Sequence, residues 1–107
     1  MKTPIEIPVP QDVPLFSERI TLDGIEYLFQ FDWNDRAQRW YLAIFTIDEK
    51  PLKTGIKVVA NWPLLLRSTD ARLPQGTLIA ADLSPLQGES PTFQELGTRV
   101  RLMYFPK

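Results

Sequence analysis

The carboxylates are the side chains of this chain best able to do chemistry. Asp32, Asp35, Asp48 and Glu49 fall in one stretch, with Glu26 and Asp82 as isolated acids elsewhere. Facing carboxylates can act as an acid–base pair, and clustered ones can hold a hard cation. These, however, sit where turns favour Asp, and no D-x-D-x-D-G spacing accompanies them. Histidine and cysteine are both at 0, which removes imidazole triads, thiolate nucleophiles and the common zinc sites. Ser17, Ser68, Ser84 and Ser90 have no G-x-S-x-G setting, and the 5 glycines form no phosphate-binding loop. The residues therefore point away from an enzyme and call for no cofactor or metal.

A second constellation combines Arg36, Arg39, Arg99 and Arg101 with Trp33, Trp40 and Tyr104. Cations and aromatics on a small β domain can form a single-strand nucleic-acid platform, and aromatics alone can form a glycan platform. Against the nucleic-acid reading, Asp32, Asp35 and Asp48 share the same hairpin, and 12 basic against 13 acidic residues leave a net charge of -1. A basic footprint is missing. Surface ion pairs, with arginine stems lying over the rings, account for the pattern better.

The elements that must hold these residues read mostly as strands. Four prolines in "TPIEIPVPQDVPLF" rule out a helix or central strand there. Residues 1–14 read instead as an extended arm, with Ile5 and Ile7 alternating with Glu6, able to pair along an edge of its own domain or of a neighbour. Asp23-Gly24 between two apolar-rich runs marks a tight hairpin joining strands 17–22 and 25–33. In the second run Ile25, Tyr27, Phe29, Phe31 and Trp33 alternate with smaller or polar residues, the period of a half-buried strand. The turn 34–38 leads into a strand over 39–47. Further strands are expected at 51–60, with a bend at Gly55, at 77–82 and at 98–105. "NWPLLLRS" is the best candidate for a short helix, over 62–66, capped by Asn61. Thr92 caps a single helical turn over 93–96 that Gly97 ends, and "SPLQGESP" reads as a loop. The sum over residues 1–107 is one all-β domain, a small antiparallel barrel or sandwich with one or two short helical turns.

The strand over 39–47 raises the main question. Trp40, Leu42 and Ile44 occupy one face, and Tyr41, Ala43, Phe45 and Ile47 the other, so neither face is polar. One cover could be the core and the other the 62–66 helix around Trp62. The alternative is that another protein chain finishes the second face. So few helical residues are available that the partner reading is favoured, because large apolar patches mark interfaces. No secretory signal precedes the domain and no run approaches the roughly 20 apolar residues of a membrane span. A soluble chain made in the cytoplasm, without a membrane partner, is the expectation.

Across nearly its whole length the chain resembles the small baseplate plug proteins of contractile-tailed bacteriophages, of the type found in a cyanophage. The resemblance is carried by "IEIPV", "ITLDGIEYLFQFDWNDRAQRWYLAIF", "PLKTGIKVVANWPLLLR", "LPQGTLIAADL" and "PTFQELGTRVRLMYFPK". Its most distinctive pieces are N-x-R-x-x-R-W-Y-L at residues 34–42 and L-G-x-R-V-x-L-x-Y at residues 96–104. It implies a structural virion component at the centre of the tail baseplate, closing the tail tube among hub, spike and tail-tube proteins. It also implies a homo-oligomer about the tail axis, three copies being favoured and six allowed. In that setting Trp33 and Trp40 pin the hairpin turn, and Asn34, Arg36 and Arg39 shape it or meet hub subunits. Ile5 and Ile7 would lie along a neighbour's sheet edge, while Arg99 and Arg101 sit on a strand that closes the fold or faces a neighbour.

Overall fold

The Asp23-Gly24 pair takes positive φ at both positions, 53° and 79°, the geometry that matches a two-residue turn to the twist of its strands. It joins β2 (Leu15–Leu22) to β3 (Ile25–Asn34), paired residue for residue from Leu22↔Ile25 to Leu15↔Asp32. A computed structural model of the chain describes residues 4–65, 72–82 and 91–106. β3 pairs in turn with β4 (Arg39–Thr46), and β4 with β5 (Pro51–Lys57), giving a four-stranded antiparallel meander. Asn34 Oδ1 accepts the Ala37 N–H at 2.9 Å and so shapes the β3–β4 turn. The register of β5 slips twice against β4, and Gly55 at φ 67° supplies the irregular backbone of that bulged stretch.

The second sheet has three strands in the order β1, β7, β6, from β1 (Ile5–Glu6), β6 (Thr77–Asp82) and β7 (Val100–Phe105). The arm therefore docks on its own domain, where Ile5 and Glu6 pair with Tyr104 and Met103 and the Ile7 N–H reaches Leu102 O at 2.8 Å. The inward faces of both sheets form one core of Ile20, Leu22, Tyr27, Phe29, Phe31, Trp40, Leu42, Ile44, Leu78, Leu102 and Tyr104, all buried.

The expected helix over 62–66 is not found. Leu66 lies outside the described residues, and residues 61–65 run as turn and bridge. Their backbone is claimed by the edge of β6, with the Asn61 N–H on Ala80 O at 2.7 Å and the Leu64 N–H on Leu78 O at 2.8 Å. Asn61 at φ 57° redirects the chain there, and Pro63 has no N–H to give a helix. Residues 93–96 form a turn rather than a helix, with the Thr92 N–H on Glu95 Oε1. No helix occurs among the described residues; the loop expected over 84–91 falls outside them except for Pro91. The result is a β-sandwich, not a closed barrel. Residues 58–64 cross from β4 to the edge of β6 and stitch one long side. On the other side β1 and β2 are end strands with no hydrogen bond between them.

Candidate functional site

Period-two alternation delivers two different faces to the four-stranded sheet. The inward one is the core. On the outward one, Leu28 lies opposite Phe45, Gln30 opposite Ala43, and Asp32 opposite Tyr41, with Tyr41 in turn opposite Lys57. Leu28, Tyr41, Ala43 and Phe45 are only half-buried, and Ile47 beyond the strand end is exposed. No element among the described residues lies over this face, so the small Ala43 and Gly55 leave it hollowed. One depression of about 310 Å³ is lined by Gln30, Asp32, Asn34, Tyr41 and Gly55. Another of about 350 Å³ is lined by Ser17, Leu28, Gln30, Phe45 and Glu49.

A third depression lies at the β3–β4 turn end. It is a groove of about 610 Å³ walled by Pro14, Trp33 and Phe93, with Asp35, Gln38 and Gln94 contributing polar atoms. Its floor is an aromatic stack in which Trp40 lies flat on Phe93 at 5.7 Å and edge-on to Trp33 at 5.6 Å. Phe16 meets Phe31 at 4.8 Å behind them. The buried Trp40 gives its indole N–H to Thr92 O at 3.3 Å, tying the loop before β7 to the first sheet.

The residues singled out in the sequence are not gathered into one site. Ile7, Trp40, Leu42 and Ile44 are core. Ile5 is exposed on the docked arm, and Trp62 is 56% exposed on the 58–64 stitch. Asn34 and Arg36 are exposed in the β3–β4 turn, with Arg39 beside them. The other two arginines belong to the second sheet. Arg101 reaches Glu6 at 3.3 Å across β7 and β1. Arg99 grips Glu95 at 2.9 Å and the fully buried carboxylate of Asp82, holding Glu95 below its ordinary range. These four arginines are thus split between the two sheets, and among the described residues no cationic track forms with the tryptophans. The carboxylates are equally scattered, since Asp32 and Asp35 lie at one end of β4 and Asp48 and Glu49 at the other. Among the described residues no acidic cluster could hold a metal ion.

Two features escaped the sequence reading. The Arg99–Asp82–Glu95 network joins residues far apart in the chain, and only the Glu95–Arg99 spacing was a local clue. Glu18 was visible in principle, because β2 places it in the inward register between Phe16 and Ile20. Burial pushes its carboxyl up to about 7, and among the described residues its Oε1 has no hydrogen-bond partner.

Among the described residues the chain is a two-sheet sandwich with one apolar face uncovered and no gathered catalytic group, an arrangement suited to interaction and assembly. The chain matches, over residues 5–107, the family described as the cyanophage baseplate Pam3 plug gp18, and it belongs to that family. Membership makes it a structural component of the virion tail baseplate. No curated protein matches the chain.

Proposed function

We propose that this chain closes the tail-tube channel at the centre of the baseplate by binding hub and spike proteins, and does so without catalysis. The observation that carries the reading is the outward face of the four-stranded sheet. Leu28, Tyr41, Ala43, Phe45 and Ile47 form an apolar strip that no element of the described residues covers, on a protein whose family works inside an assembly. A strip of that kind is stabilised when a partner removes it from water, by roughly 25 cal/mol per Å². Several copies about the tail axis fit the reading, three being the favoured count.

The test is co-expression with the hub and spike proteins of the same phage, followed by co-elution and affinity measurement. Tyr41→Asp and Phe45→Asp should each weaken binding by about thirtyfold or more, the scale of an interface aromatic worth about 2 kcal/mol. Their melting temperatures should stay near the parent's. Failure of the parent chain to bind either protein, or binding indifferent to both changes, sinks the proposal. The Trp33–Phe93 groove supports a second reading, saccharide binding by an aromatic wall with amides at its rim. A blank glycan array removes it.

A further inference from the structure

The β2 edge of the four-stranded sheet is bare. β2 is an end strand, and the Trp33 N–H donates to Pro14 O, so strict alternation turns the N–H and C=O groups of Ser17, Arg19 and Thr21 away from β3. Among the described residues nothing takes them. Two charged groups near this edge are also left without a counter-charge. Arg19, opposite Leu28, is exposed on the outward face. Glu49 borders the depression of about 350 Å³ whose other walls are Ser17, Leu28, Gln30 and Phe45. Neither has an ion pair among the described residues. On the inward face Glu18 stands between Phe16 and Ile20 with its Oε1 unbonded.

We infer that two copies of this chain pair antiparallel through their β2 edges about a two-fold axis at Glu18, each Arg19 reaching over the partner's Ser17 to the partner's Glu49. The register follows from the residues. With Glu18 at the centre, Ser17 stands opposite the partner's Arg19 and Leu15 opposite the partner's Thr21 on the outward face. Phe16 stands opposite the partner's Ile20 on the inward one. The free amides and carbonyls of Ser17 and Arg19 then serve each other across the axis. Ser17 is a wall of the depression, so a long side chain laid across it enters that hollow from the open edge, where Glu49 supplies the opposite charge. A shift that centred the axis on Arg19 would set that residue against itself, which disfavours it. At the centre Glu18 does not repel its counterpart, since burial keeps the carboxyl protonated up to about 7. Neutral carboxyls donate as well as accept, so each supplies the partner that the other's Oε1 lacks. A two-fold interface is closed, so association stops at two and the edge templates no further pairing. A tail axis has a direction and no two-folds across it, so the pair belongs to the free chain and parts on incorporation. The inference does not depend on the proposed binding of hub and spike.

The test is sedimentation equilibrium of the full chain over a wide concentration range. A reversible dimer is expected, with no larger species. Arg19→Glu and Glu49→Arg should each weaken it by about tenfold or more, and the two together should restore it. Ser17→Pro removes an N–H that β3 does not use, so it should leave a monomer whose near-UV circular dichroism is that of the folded chain. The register has its own readout. The chain has 0 cysteines, and only residue 18 faces its own counterpart. Mild oxidation should therefore link Glu18→Cys into a covalent dimer and leave Ser17→Cys unlinked. A monomer at every concentration overturns the inference, as does a dimer indifferent to the charge exchange and the proline, or one that cross-links through position 17 and not 18.

Discussion

Arg99 carries its charge where the fold has least room for one. Its side chain is 14% exposed and it neutralises Asp82, whose carboxylate is fully buried. Removing one member of such a pair leaves an uncompensated buried charge, which is worse than removing both. Arg99→Met and Asp82→Asn should each lower the melting temperature, and the double variant should recover part of the loss, giving a non-additive cycle by thermal denaturation. Glu18 makes a prediction of opposite sign in pH. Its carboxyl rises from 4.5 to about 7 because burial disfavours the ionised form, so the folded chain holds a proton that the unfolded chain has released. Stability from this group is greatest below pH 4.5, falls as pH rises toward 7 and is flat above. Dilute monomer should melt at progressively lower temperature across that window, and Glu18→Gln should remove this group's share of the slope. The Tyr104 hydroxyl, pushed up to about 12 by burial and by its bond to Asp23, works in the same sense at alkaline pH: its share is lost as pH climbs from 10 toward 12.

At the scale of elements, what was legible depended on whether a signal was local. The β2–β3 and β3–β4 hairpins could be read because Asp23-Gly24, the Asn34 turn and period-two alternation are written in consecutive residues. The 62–66 helix was misread for the complementary reason. Asn61 and Pro63 do resemble a helix start, yet the unpaired edge of β6, distant in sequence, takes the amides of Asn61 and Leu64. The same limit hid the role of Trp40, whose strand is apolar on both faces; the inward one proved to be core and the outward one is left open by the described residues. Trp40→Ala should therefore cost about 3–5 kcal/mol of stability in chemical denaturation, rather than act as an interface change in an intact fold. Close packing also constrains the start of β6. A Cβ at Gly76 would stand 2.2 Å from the Phe105 carbonyl oxygen and 2.6 Å from the Tyr104 hydroxyl, which itself accepts the Gly76 N–H at 2.7 Å. Gly76→Ala should lower the melting temperature by displacing Tyr104 from Asp23, and the environment of that ring, read by near-UV circular dichroism, should change with it.

For the molecule as a whole, the arm matters out of proportion to its length. Ile7 is buried in the common core, Gln11 donates to Leu96 O at 3.1 Å, and the short β1 covers the outer side of β7. Deleting residues 1–8 should lower stability and leave β7 as a bare edge, seen as faster amide exchange in Val100–Phe105. The two long sides of the sandwich are built differently, one stitched by residues 58–64 and the other bordered by a two-residue strand. Under mechanical load that difference sets a direction. A pull on the N-terminus loads the Ile5 and Glu6 pairs in sequence, as a zipper. The arm therefore peels at low force, while the four-stranded meander behind it keeps its shape.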